Sequence, residues 1–186
     1  MAASERWKLH KTVVLVGMMG AGKTAVGKAL AARLGVRFLD SDAEIERAAN
    51  MTIAEIFARD GEAFFRDRET QVINRLLETE RGILSTGGGA FLAARNRRLI
   101  SQKGVSVWLD ADLLLLWGRV KNKDTRPLLR TANPFRTLKA LYEARVPVYA
   151  TADLSVRPKP DYAIETMAGK VIVALLTRPD VLEEGK

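Results

Sequence analysis

Val13-Val14-Leu15-Val16 is an unbroken apolar run rich in β-branched residues, the pattern of a strand buried on both faces. The stretch Gly17–Gly22 breaks it. Val26, Leu30 and Leu34 then recur at i, i+4 and i+8, which predicts a helix with one apolar stripe, stopped by Gly35. Val36–Asp40 predicts a second strand, with Ser41 or Asp42 capping the helix after it. Thr52-Ile53-Ala54-Glu55 reads as a capping box that opens a helix, which Gly61 ends or interrupts. Phe65, Val72, Ile73, Leu76 and Leu77 share one face of the next helix. Ile83-Leu84-Ser85 predicts a third strand, Gly87-Gly88-Gly89 a turn, Val105–Leu109 a fourth strand and Asp112–Val120 a helix. Lys121–Asn133 has no periodicity and predicts a loop. Asn133-Pro134 predicts a cap and first-turn proline for a helix to about Arg145, with Pro147 interrupting it. Asp161–Glu165 predicts a final strand, and Thr166 the cap of a last helix carrying Val171, Leu175 and Leu176.

Strands alternating with helices predict an α/β domain with a mainly parallel sheet and helices on both faces. In such sheets ligands bind beyond the carboxyl ends of the strands. The 186 residues suit one domain and carry no internal repeat. The chain has no cysteine and a single histidine, His10, which excludes a disulfide framework, a thiolate nucleophile, a serine–histidine triad and a multi-histidine metal site. His10 reads as a solvated residue of the N-terminal lead-in, and the tail from Pro179 to Lys186 is expected to fray. Arg6, Lys8 and Lys11 before the first apolar run faintly suggest a signal peptide, but that run is too short, and no stretch reaches the ~18 apolar residues of a membrane helix. A cytoplasmic location is expected. The net charge of +8 predicts an anionic partner.

Gly17-Met-Met-Gly20-Ala-Gly22-Lys23-Thr24 matches G-x-x-x-x-G-K-[ST] in full, between a predicted strand and a predicted helix. Backbone N–H groups there can converge on phosphate oxygens, helped by the positive end of the helix dipole. Lys23 is expected to reach the β- and γ-phosphates and Thr24 to offer its hydroxyl to Mg²⁺. The third strand ends in hydroxyls and glycines instead of the aspartate usual in motor and switch NTPases. The acids stand at the end of the second strand, in Phe38-Leu39-Asp40-Ser41-Asp42. One can serve the metal through its water shell and the other can accept a hydrogen bond from a hydroxylated acceptor, or both can be capping acids.

Together, the phosphate loop, F-x-D-x-D, Gly61-Glu62-x-x-Phe65-Arg66-x-x-Glu69, Gly87-Gly88-Gly89, Arg126-Pro127-Leu128-Leu129 and Arg145-x-Pro147-x-Tyr149 resemble the shikimate kinase family, from about Val13 to Leu176. The resemblance implies a three-layer αβα P-loop fold of the nucleoside-monophosphate-kinase type. Its five-stranded parallel sheet has order 2-3-1-4-5, with a core over 12–177, a substrate-binding helical part at about 41–70 and a mobile lid at about 120–134. It implies ATP-dependent phosphorylation of the 3-hydroxyl of shikimate, with Mg²⁺, in aromatic amino acid biosynthesis. The catalytic residues carried over are Asp42, Lys23 and Arg126. The acceptor site maps onto Asp42, Arg66, Gly87, Gly88, Gly89 and Arg145. ATP binding maps onto Gly20, Ala21, Gly22, Lys23, Thr24, Ala25, Arg119, Arg126, Arg157 and Pro158, and the metal onto Thr24 and Asp40. Two arginine forks suit a carboxylate, and Asp42 suits ring hydroxyls. Taken singly, Arg66 reads as a helical arginine paired with Glu69 and Arg145 as helix-surface charge.

A gluconate-type kinase and, from another class, a nucleic-acid-binding ATPase remain as alternatives. Aromatic residues make up only 6% and no nucleic-acid motif is present. Arg95, Arg97 and Arg98 read as a solvated helix face. Between Arg119 and Arg145 eight basic residues stand against two acids, giving +6 of the total +8. The charge is therefore a local field, expected where ATP and a carboxylate acceptor meet. The expected partners are small molecules, with neither nucleic acid nor membrane, and the protein is expected to be a monomer.

Overall fold

The computed structural model describes residues 6–122 and 129–186. Among them the elements run β1 (Trp7–Leu9), β2 (Thr12–Val16), α1 (Lys23–Leu34), β3 (Arg37–Asp40), α2 (Ser41–Ala49), α3 (Ile53–Thr79), β4 (Gly82–Ser85), a 3-10 turn (Ala90–Leu92), α4 (Ala94–Lys103), β5 (Gly104–Leu109), α5 (Leu113–Val120), α6 (Pro134–Tyr149), β6 (Leu154–Val156), α7 (Ile164–Leu175) and β7 (Leu182–Glu184).

Five strands form a parallel sheet in order β3-β4-β2-β5-β6, the predicted order. Every residue of β2, β4 and β5 is buried, as continuous apolar runs covered on both faces require. Right-handed crossovers place α1 and α7 on one face and α3, α4 and α6 on the other. The pairs α1–α7 and α3–α4 pack together accordingly. Chain connections leave β2 first toward β3 and β4 and later toward β5 and β6, so a ligand crevice opens at its carboxyl end. The phosphate loop follows β2 there, with β4 and its triglycine on one side. Asp40 and Asp42 stand one strand further, at roughly 4.8 Å per strand interval.

Several expectations need correction. Gly61 is not one of them: it interrupts α3 with a non-helical kink (φ 85°, ψ 172°), as expected. Helix α6 continues past Arg145 and Pro147 to Tyr149. Pro147 forfeits one ladder bond near the end of the helix, which closes with Ala150 N–H donating to the Val146 carbonyl. The last strand of the sheet is Leu154–Val156, upstream of the expected Asp161–Glu165, and the last helix starts at Ile164, not at Thr166. The cap of α2 is Asp40, whose carboxylate accepts from the N–H groups of Asp42 and Ala43, so neither Ser41 nor Asp42 caps it. The tail does not fray as a unit: β7 pairs antiparallel with β1, Trp7 opposite Glu184 and Leu9 opposite Leu182. His10 closes this ribbon through a 2.9 Å contact with Glu183.

Candidate active site

Four helices are capped by their own side chains, Asp40, Thr52, Asp112 and Asn133. Helix α1 is not. Its N-cap is Gly22 in the left-handed region (φ 96°), with no side-chain bond and no acid in the first turn. The N–H groups at its start therefore remain available to an anion. Lys23 folds back, its Nζ donating to the Gly17 carbonyl at 2.6 Å. Helix α5 closes one side: Arg119 donates to the Gly20 carbonyl at 3.0 Å, and a Cβ on Gly20 would stand 2.8 Å from Val120. The result is a cavity of about 460 Å³ lined by Met18–Val26, Arg119, Tyr162, Ile164 and Met167. Of the residues expected to bind ATP, Gly20, Ala21, Gly22, Lys23, Thr24, Ala25 and Arg119 line this cavity, which is in the size range of a ligand pocket. Arg157 and Pro158 do not line it. That wall comes from Tyr162, Ile164 and Met167 at the start of α7. The expected strand Asp161–Glu165 covers Tyr162 and Ile164, and Met167 falls in the expected last helix. Arg126 lies outside the described residues, with the rest of 123–128 in the expected lid.

The other half of the site is built on the triglycine. A Cβ on Gly87 would lie 2.9 Å from Asp42 Oδ1. On Gly88 it would lie 3.2 Å from Arg145 Nη1, and on Gly89 2.7 Å from Arg66 Nη2. Each glycine thus makes room for one of the three charged side chains, which arrive from α2, α6 and α3. A side chain at Gly87 or Gly89 would displace the charged group beside it, and one at Gly88 would crowd Arg145. The triglycine was expected to admit backbone to a sugar-like ring; it also admits these three protein groups.

Arg66 is half-buried and held by neighbours. Its Nη1 donates to Glu69 Oε1 at 3.0 Å, and Glu62 stands 3.6 Å from its Nε. Glu69 is 1% exposed. Burial pushes its carboxyl above the ordinary range while the Arg66 guanidinium pulls it back. Burial likewise raises Asp42, reinforced by the charges of Asp40 and Glu46 and opposed by Lys23 and Arg66. A carboxylate held reluctant to ionise is a stronger base than an ordinary one. Asp42 thus feels the charges of both Lys23 of the phosphate loop and Arg66 beside the triglycine.

Mg²⁺ binds through one or two protein oxygens, phosphate and several waters. The site fits that demand. Thr24 lines the phosphate cavity, and only one oxygen of Asp40 is committed to capping. Among the described residues no group of three or more acidic, histidine or cysteine ligands exists that would suit an all-protein cage.

A model of a protein family described as shikimate kinase matches residues 19–176. The shikimate kinase of Ruegeria pomeroyi is 72% identical over 175 residues, covering 94% of this chain and 90% of that protein. The structure of shikimate kinase from Acinetobacter baumannii in complex with shikimate superposes with a TM-score of 0.83 and 41% identity, covering 94% of this chain and 96% of that one. A gluconokinase from Sinorhizobium meliloti is similar in fold alone, with a TM-score of 0.55 and 17% identity over 90% of this chain and 95% of that one.

Proposed function

The chain belongs to the shikimate kinase family, and on that premise we propose how its residues move the γ-phosphoryl of ATP to the 3-hydroxyl of shikimate. The observation that carries the reading is the convergence of Asp42, Arg145 and Arg66 on three consecutive glycines beside an uncapped phosphate-loop helix. Shikimate carries one carboxylate and three ring hydroxyls. Arg66 and Arg145 offer planar donor forks to the carboxylate, which lysine would not imitate. Asp42 accepts a hydrogen bond from the attacking hydroxyl and takes its proton. The new bond forms between that oxygen and the γ-phosphorus, and the bond to the β-phosphate oxygen breaks, releasing ADP. Positioning and electrostatics dominate such a transfer.

The phosphates lie on the N–H groups at the start of α1. Lys23, already within reach of the loop carbonyls, turns to the β- and γ-phosphate oxygens. Thr24 and the free oxygen of Asp40 would hold Mg²⁺ and its waters, and the bound ion neutralises phosphate charge. Arg119 flanks the base, with Tyr162, Ile164 and Met167 opposite. Arg126 is assigned by resemblance to the transferring phosphoryl. Arg157 and Pro158, which do not line the cavity, are assigned by resemblance to the segment that closes over the other side of the base. The two ends of the basic segment support its proposed purpose: Arg119 lines the nucleotide cavity and Arg145 the acceptor shelf.

Among the described residues no helix is long and apolar enough to cross a membrane. We place the enzyme in the cytoplasm, as a monomer. A coupled assay for ADP with shikimate, gluconate and nucleoside monophosphates tests the reading. Turnover is expected with shikimate and to be Mg²⁺-dependent. Faster turnover with gluconate would replace the acceptor, and ATP hydrolysis stimulated only by nucleic acid would replace the class.

A further inference from the structure

The triglycine shelf has no side chains of its own to fix it, yet its position decides where Asp42, Arg66 and Arg145 meet the substrate. The 3-10 turn that follows it is short. Something else must hold the segment from Gly87 to Leu92.

Two buried clamps do so. Tyr149, 1% exposed on the last turn of α6, donates its hydroxyl to the Gly88 carbonyl at 2.5 Å. Its ring lies between Phe91 and Trp108, with centroids 6.4 and 6.3 Å away. Burial raises the phenol above its ordinary value, and the Arg145 guanidinium nearby pulls it down. The hydroxyl thus stays protonated, as a donor must. Tyr149 therefore ties the middle glycine to the same helix that brings Arg145 to that glycine.

Asn96 forms the second clamp. It is 0% exposed, and its Nδ2 donates to the Ala90 carbonyl at 2.8 Å. A carbonyl only accepts, so this contact fixes which end of the amide faces it. The other end, Oδ1, then accepts from Thr70 Oγ1 at 2.7 Å. Thr70 stands one turn beyond Arg66, and its hydroxyl also lies 3.1 Å from the Arg66 carbonyl. This chain ties the residue after Gly89 to the turn of α3 that carries Arg66. Each clamp joins one stretch of the shelf to the helix whose arginine sits on it.

We propose that Tyr149 and the Asn96–Thr70 pair are positioning residues for the acceptor: they hold the shelf in register with the two arginines and so set affinity for the acceptor's carboxylate. Neither touches the nucleotide cavity. The inference rests on the acceptor reading above, and the two fail differently. If shikimate is not the acceptor, the unaltered enzyme shows no turnover with it. If the clamps do not position, the enzyme works and the variants bind shikimate normally.

The experiment uses Tyr149→Phe and Thr70→Val, which keep ring and branched shape, with Asn96→Ala as the harsher change and Thr70→Ser as the conservative control. The KM for shikimate and for ATP is measured for each, with calorimetric shikimate binding. We expect the shikimate KM to rise about tenfold or more in the first three variants, in line with the cost of misplacing a bound reactant. The ATP KM should stay within twofold, and Thr70→Ser should behave as the unaltered enzyme. Should Asn96→Ala not fold, the two milder variants carry the test alone. Unchanged shikimate KM in folded Tyr149→Phe and Thr70→Val, or equal rises in both KM values, would overturn the proposal. A lowered melting temperature with unchanged affinity would show that the clamps serve stability only.

Discussion

The two halves of the site are made by opposite means. The nucleotide half is largely backbone: one contiguous loop, an uncapped helix start and a lysine parked on loop carbonyls. The acceptor half is side chains from three helices meeting on a glycine shelf. The first half needs only its local conformation to be correct. The second needs α2, α3, α6 and the shelf placed together. The raised carboxyl groups described at the site, Asp42 and Glu69, also belong to the second half, where burial works against ionisation. Specificity is bought there by holding charge in partly desolvated positions, whereas the phosphate loop binds charge with neutral N–H groups.

Asp42→Asn breaks this contrast most sharply. It removes the proton acceptor and should lower kcat by about 10³ or more, within the span of general-base effects. ADP affinity should remain within twofold by calorimetry. A near-normal kcat would remove Asp42 from the chemistry. Gly89→Ala is the next largest. Its Cβ would meet Arg66 at 2.7 Å, so the shikimate KM should rise roughly 10²-fold with little change in the ATP KM. Equal changes in both constants would show that the halves are not separable.

The pH dependence sharpens the comparison further. With its pKa raised, Asp42 should give kcat/KM for shikimate an acid limb whose midpoint lies above the ordinary 3.8. A limb centred at or below that value would place the controlling group elsewhere. The smallest effect is on stability. Folding raises the Asp42 and Glu69 pKa values, so between the ordinary and raised values the folded chain binds more protons than the unfolded one. Stability therefore falls as pH rises through that window, and the penalty persists above it. Asp42→Asn should recover part of it as a melting temperature higher by about 2 °C at neutral pH, and lower thermal stability would contradict the argument.

These differences also explain what could be read in the chain. The phosphate loop is legible because its residues are contiguous and each acts through local conformation. The capping acid of α2 was misplaced by one or two residues. Asp40, Ser41 and Asp42 are all competent caps, and the end of β3 decides among them. The acceptor site could be assembled only by resemblance, since no spacing rule links residue 42 to residues 66, 87 and 145. Strand β6 was missed because it is three residues long and only its last residue is buried. The start of α7 was misread because Ala163 is a weak cap. Packing against α1 along the buried Met167, Ala168, Val171, Ile172 and Leu175 holds the helix instead. Tyr149 and Asn96 carried a motif letter or nothing at all, since their value lies in carbonyls distant along the chain.

The ribbon of β1 and β7 has a consequence outside catalysis. Gly185 N–H donates to the Arg6 carbonyl at 2.6 Å, so the chain crosses into and out of the domain at a single point, away from the carboxyl edge of the main sheet. A host protein could therefore carry the stretch from Arg6 to Gly185 as an insert in one of its surface loops. The same ends could be spliced and new ones opened elsewhere, as permutation requires. Force applied to the two ends would peel the ribbon one rung at a time and leave the parallel sheet unloaded until the clasp has opened.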